Sequence, residues 1–366
     1  MPRLNVRATP SLFVVAALVL SGSAWSTSML AHEEPDRSEI WMTAQDSGEV
    51  KVLRANREVT TIPLGFGTSP HFVRFPAAGR YAYVAGLGDG SIYIIRANQR
   101  HLAAVIPIAP ATEFKGNINP SLPGGGGVHD ATPSPDGTIV LAAHWGTNRL
   151  YKVLADEKHE SWTVDTSIDI LGRRPICSVF HPDGHTAYVG LAPNGLAVVD
   201  VASLEILHVY ATDAAIPCTM QTSTNRTDAY VVTATGHFYH INLWTNALTD
   251  LGDSIDAAHI HSLVTPATGP LVVASRDDDT LRLIDALGRE FASIPVDATV
   301  GIEDKPDTLA LRGNQVLVAL RATGKLGIVN LQQGTTRYVD ITPPSVYALH
   351  GLAVRPDPKK LDHRGR

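Results

Sequence analysis

The sequence has few features that could cross-link the chain or bind a nucleotide. It contains only two cysteines in 366 residues, which excludes a scaffold held together mainly by disulfides. No C-x-x-C-H motif occurs, so a covalently attached c-type haem is not expected. The glycine run at 124–127 lacks the lysine and the helix of a phosphate-binding loop.

Long apolar runs are also absent, and the one pronounced run is short and lies near the N-terminus. Arg3 and Arg7 precede an apolar segment at 12–20, and small residues follow at 21–28. This order is typical of a secretory signal peptide, whose apolar run is too short to span a bilayer. We therefore predict removal of residues 1–31, a periplasmic mature protein and no membrane insertion after cleavage. An uncleaved membrane anchor is the alternative.

Positive charge is scarce in the predicted mature chain. Without residues 1–31, which contain two arginines and no acidic residue, 28 basic residues stand against 36 acidic ones. Nucleic-acid binding requires a basic surface, so a nucleic-acid partner is excluded.

Helical periodicity is not sustained anywhere, and a β repeat of about forty residues takes its place. Segments beginning at His71, His129 and Ile176 each contain an apolar strand, a turn ending in glycine and a second apolar strand. Turns of the Asp-Gly type between such strands indicate hairpins. More degenerate copies follow at 215–252, 258–297 and 304–342. Four short antiparallel strands per repeat are typical of a propeller blade.

The two ends of the chain complete the count of blades. Residues 39–64 supply only three strands, and the segment beginning at Leu349 supplies an innermost strand without a blade. We therefore predict an all-β, seven-bladed β-propeller over residues 32–358, closed by pairing of the C-terminal strand with the N-terminal blade. Residues 359–366 are predicted to be a disordered tail. An open array of blades is the alternative.

Histidines recur at one position of the repeat, eight residues before the turn glycine, where the innermost strand begins beside the central channel. The histidines at this position are His71, His129, His261 and, counted from Pro358, His350. Three other histidines are expected at the same mouth of the channel. His259 lies two residues before His261, and His144 and His237 lie in loops between second and third strands. Converging imidazoles suit zinc or copper, and they also suit the iron of a haem. A polar channel lining or a small-molecule pocket is the alternative.

The two cysteines occupy matched positions in adjacent repeats, Cys177 and Cys218. Three interpretations stay open: a disulfide, thiolate ligation of the same metal, or two small buried residues.

The blade pattern across residues 39–358 resembles the YVTN-type and cytochrome d1-like propeller superfamily. The segment from His71 to Val84 is similar to the blade of cytochrome cd1-type propellers that carries the proximal haem d1 ligand. This resemblance implies that His71 binds the haem iron. Two features depart from that family: the chain has no cytochrome c domain, and it reads Gly86-Leu-Gly-Asp where the family has Gly-Arg-Asp. The superfamily also includes periplasmic copper enzymes and zinc chaperones with histidines at the channel mouth.

These observations together predict a periplasmic metal carrier or accessory protein that binds copper or zinc. The predicted ligands are His71, His129, His261 and His350, followed by His144 and His259. A periplasmic copper oxidoreductase, a haem d1-handling propeller and a metal-free interaction scaffold are the alternatives. A periplasmic protein partner is expected, and no catalytic residue can be assigned.

Overall fold

The computed structural model describes residues 38–55, 58–109, 126–212, 217–223, 226–253, 255, 259–298 and 303–357. The predicted signal peptide and the predicted C-terminal tail lie outside these residues. Within them, no helix is both long and apolar enough to cross a membrane.

The described strands form seven four-stranded antiparallel sheets, each a blade of the predicted propeller. In blades 2 to 7, consecutive strands run outward from the axis, whereas blade 1 combines strands from both ends of the chain. Blade 1 consists of β1 (Ile40–Ala44), β2 (Glu49–Leu53), β3 (Val59–Pro63) and β28 (Leu352–Val354). Blade 2 consists of β4 (Pro70–Arg74), β5 (Tyr81–Gly86), β6 (Ser91–Arg96) and β7 (His101–Pro107). Blade 3 consists of β8 (Val128–Pro133), β9 (Ile139–His144), β10 (Arg149–Asp156) and β11 (Ser161–Asp169).

The remaining four blades follow the same order. Blade 4 consists of β12 (Arg174–Phe180), β13 (Thr186–Ala192), β14 (Leu196–Asp200) and β15 (Ile206–Tyr210). Blade 5 consists of β16 (Pro217–Thr222), β17 (Asp228–Thr233), β18 (His237–Asn242) and β19 (Ala247–Asp253). Blade 6 consists of β20 (Ile260–Val264), β21 (Leu271–Ser275), β22 (Thr280–Ile284) and β23 (Glu290–Pro295). Blade 7 consists of β24 (Pro306–Arg312), β25 (Gln315–Leu320), β26 (Lys325–Asn330) and β27 (Thr335–Asp340).

The ring closes as predicted, because the C-terminal strand is the innermost strand of blade 1. β28 pairs antiparallel with β1, with Leu352 opposite Met42 and Val354 opposite Ile40. Closure pairs strand edges that would otherwise be free to associate with other chains.

Hydrophobic side chains fill the space between neighbouring blades. In the described part of the chain, each of the seven blade interfaces, including the one between blades 7 and 1, holds its own cluster of buried residues. Trp41 and Tyr83, which are completely buried, belong to the clusters on either side of blade 2. Because neighbouring blades cover both faces of each sheet, the middle strands have apolar side chains on both faces.

A β-bulge interrupts the innermost strand of blades 2 to 7 close to its start. The register with the second strand shifts at 70–73, 128–130, 175–178, 217–219, 260–262 and 306–309. A bulge leaves its extra residue unpaired and changes the direction of the side chain. The bulged positions include His71, His129, Cys177, Cys218, His261 and Asp307. The bulges therefore place residues of these types at equivalent positions of six blades.

Candidate metal centre

Four of the histidines predicted from the repeat converge at the axis. The ring centroid of His71 lies 4.1 Å from that of His129 and 3.9 Å from that of His350. The rings of His261 and His350 lie 4.9 Å apart. His71, His129 and His350 are only 5%, 6% and 2% exposed, and the His261 side chain is 12% exposed. The histidine cluster, as we call these four residues, is thus a buried group formed by four different blades.

A carboxylate that the repeat count did not identify lies against this cluster. Asp307, in the bulge of β24, is completely buried. Its Oδ2 lies 2.8 Å from His350 Nδ1 and its Oδ1 lies 2.7 Å from Arg276 Nη2, while His261 Nδ1 contacts Oδ1. One ligand atom each from His261, Asp307 and His350 lie within 4.8 Å of one another.

Asp307 was missed because blade 7 has a shorter first hairpin. Arg312 pairs with Gln315 across the turn at Gly313, so Asp307 lies two residues nearer its turn glycine than the histidines lie to theirs. The local pattern could have revealed it, since Pro306-Asp307 repeats Pro70-His71.

A hydrogen bond fixes the tautomer of His129, and ring nitrogens of the cluster stay available as ligands. His129 Nδ1 lies 2.7 Å from the carbonyl oxygen of Ile176, which can only accept, so Nδ1 donates and Nε2 carries the lone pair. His350 Nδ1 lies 2.8 Å from the Asp307 carboxylate, where an ion could take the place of the proton between them, and its Nε2 is buried without a partner. His71 Nδ1 is also buried and unpartnered. Metal-binding histidines commonly donate a hydrogen bond through the ring nitrogen that does not bind the metal, as His129 Nδ1 does here.

The electrostatics keep the imidazoles neutral and Asp307 ionised. Burial, together with repulsion from the other rings of the cluster, lowers the pKa of His71 and His129 well below the usual value. Burial lowers the pKa of His261 to about 3. Burial opposes ionisation of Asp307, but the charge of Arg276, together with the contacts that His261 and His350 make with the carboxylate, outweighs it and holds its pKa well below the usual value. Neutral imidazoles beside a carboxylate are the protonation states that metal ligation requires.

Aromatic rings enclose the cluster on two sides. The Phe72 ring lies 4.6 Å from that of His71 and 5.3 Å from that of His350. Trp145 stacks on His129 at 4.6 Å. These rings restrict the orientations that the imidazoles can adopt.

Two further predicted ligands make other contacts. His144 Nδ1 accepts a hydrogen bond from the Thr147 backbone N–H at 3.3 Å, and the ring lies beside Gly90, where an added Cβ would be 3.1 Å from His144 Nε2. His259 Nε2 lies 3.1 Å from Arg276 Nη1, so it reaches the cluster only through that arginine.

The remaining sequence-predicted residues make other contacts or are only partly described. His237 is bound between Asp250 and Asp253, at 2.6 and 2.7 Å. Cys177 is buried beside Ile176. The side chain of Cys218 lies outside the described residues, so the relation between the two cysteines stays a prediction.

Comparisons with known proteins support the fold. No protein-family model and no curated protein matches the chain. Among solved structures, hydrazine synthase from Kuenenia stuttgartiensis is similar with a TM-score of 0.64 and 14% identity, over 80% of this chain and 91% of the other. The Cps50 (Swd1) β-propeller domain from Myceliophteria thermophila is similar with a TM-score of 0.60 and 13% identity, over 82% and 93% of the two chains. At such identities the likeness concerns the fold alone.

Proposed function

We propose that this protein is a periplasmic zinc carrier that binds one ion through His261, Asp307 and His350, with His71 as the fourth ligand. The observation that carries the proposal is the approach of three ligand atoms to within 4.8 Å in a buried site. Zinc is typically held by four nitrogen, oxygen or sulfur ligands in tetrahedral geometry. A set of imidazoles and one carboxylate suits zinc better than the softer Cu(I).

The enclosure of the cluster favours a carrier over an enzyme. Catalytic zinc sites keep one position open for water or substrate, whereas a site with four protein ligands is closed. His71 supplies a fourth ligand because its ring lies 3.9 Å from that of His350 and its Nδ1 has no other partner.

The crowding of the rings favours an ion over a haem. The ring of His71 is within about 4 Å of the rings on both sides, and Phe72 occupies the space next to them. A porphyrin would require these side chains to separate.

The periplasmic location rests on the signal-peptide pattern of residues 1–31, and sequencing the N-terminus of the exported protein tests it.

Elemental analysis of protein purified without a histidine tag tests the site. After equal exposure to zinc and copper, the wild type should retain about one zinc per chain, and a His261→Ala, His350→Ala double variant should retain none. The control is His185→Ala, His208→Ala, which removes two exposed histidines and should bind zinc as the wild type does. Absence of metal from the wild type, or retention by the double variant, contradicts the proposal. Preferential loading with copper would identify the ion as copper, and a Soret band would identify a haem, so either result would contradict the assignment of zinc.

A further inference from the structure

The central channel contains a polar cavity next to the histidine cluster, since both Phe72 and His261 line it. The axial cavity, as we call it, has a volume of about 30 Å³, which is room for about two water-sized occupants. Its polar lining comes from five blades and includes Arg74, Ser178, Thr219, Gln221, Ser262 and Thr308.

Two hydroxyl groups in this lining have no hydrogen-bond partner in the structure. Ser178 Oγ and Thr308 Oγ1 are buried and unpartnered, and the two residues are only 1% and 4% exposed. A buried hydroxyl without a partner is unfavourable, so such groups usually bind an internal ligand or water.

A guanidinium group supplies positive charge to the same cavity. Arg74 pairs with Asp130 through Nε and Nη2, at 3.1 and 3.2 Å, and Nη1 takes no part in that pair. The Asp130 side chain is completely buried whereas a third of the Arg74 side chain is accessible. The cation therefore faces the cavity and its carboxylate partner lies behind it.

We propose that the axial cavity binds a small monatomic anion of the halide type, held by Arg74, Ser178 and Thr308. N–H and O–H groups of these residues can all donate to an anion. His261 and Cys177 also line the cavity, but no carboxylate does, and the positive charge of Arg74 disfavours a metal cation there. Room for about two water-sized occupants suits a monatomic anion better than a sulfate. The cavity adjoins the proposed zinc site, since His261 lines it, but the anion proposal uses other residues and does not depend on zinc binding.

Bromide substitution in crystals locates the anion directly. Crystals of the metal-free protein grown in sodium bromide should show an anomalous scattering peak in the axial cavity, within hydrogen-bond reach of Ser178 Oγ and Thr308 Oγ1. Density without anomalous signal would identify water only and would overturn the proposal.

Solution measurements test the same site without a crystal. The thermal unfolding temperature should rise saturably with sodium chloride when sodium gluconate, whose anion is too large for the cavity, maintains the ionic strength. Ser178→Ala and Thr308→Val should each weaken this chloride dependence by roughly five- to tenfold in apparent Kd, as expected for the loss of one hydrogen bond.

A matched control separates this effect from the simple loss of a buried hydroxyl. Ser275 Oγ is also buried and unpartnered, but Ser275 does not line the cavity. Ser275→Ala should therefore keep the wild-type chloride dependence. An absent chloride effect in the wild type, or the same effect in all the variants, would reject the anion site.

Discussion

Asp307→Asn would separate the two roles that the structure gives to Asp307, as the counter-ion of Arg276 and as a proposed metal ligand. The substitution keeps the shape of the side chain but removes its charge from a completely buried position. Arg276, 8% exposed, then loses the carboxylate that lies 2.7 Å from its Nη2. Removing one partner of a buried ion pair typically destabilises a protein by about 3–5 kcal/mol. We expect a loss of this size in the urea unfolding free energy of the metal-free protein.

The same variant should bind zinc at least tenfold more weakly, since it loses the carboxylate that we propose as a ligand of the ion. Competition with a chromophoric chelator measures this affinity. Adding Arg276→Met should restore most of the stability, because an apolar replacement of a buried pair is often neutral, but it should not restore zinc binding. The reasoning is refuted if Asp307→Asn costs less than about 1 kcal/mol, or if the double variant regains zinc affinity.

Three other substitutions test different parts of the molecule. Burial opposes protonation of His237, but its two carboxylate partners outweigh this and raise its pKa. The stabilisation that protonated His237 gives the folded protein is therefore complete below pH about 6.5 and is lost as pH rises through the raised pKa. His237→Gln should lower the urea unfolding free energy by about 0.5–1 kcal/mol at pH 6, given the exposed partners, and by less at pH 9; an equal loss at both pH values would contradict this. Gly351→Ala would place a Cβ 2.2 Å from the His71 carbonyl oxygen, so the strands should move apart and zinc affinity should fall roughly tenfold or more in the chelator assay; unchanged affinity would show that the strands accommodate the methyl group. Leu352→Ala should lower the unfolding free energy by about 2–5 kcal/mol, since this side chain is buried where the ring closes; a loss below about 1 kcal/mol in urea titration would show that closure does not depend on it.

The fold could be predicted from the sequence because its signals are local and repeated. Turns of the Asp-Gly type specify hairpins, and the missing strand of blade 1 is matched by the additional strand that contains Leu352. The position of His71, His129 and His261 followed from the same repeat, since each is the second residue of an innermost strand.

The details of the site could not be predicted because they depend on strand register. The side chains of a strand alternate between its two faces, and a bulge that is not visible in the sequence changes which side chain points to the axis. His144, the last residue of β9, therefore lies beside Gly90 in a blade interface and not in the cluster. Asp307 was missed because counting from the turn assumed hairpins of equal length.

The pairing of β28 with β1 sets the order in which a metal site could form during biogenesis. His71 and His350 become neighbours, 3.9 Å apart, only after the last part of the chain has docked onto the first. A nascent or unfinished chain therefore lacks one side of the cluster, however well its early blades have folded. An ion that requires both residues can enter only a completed ring, and its retention would report that assembly has finished.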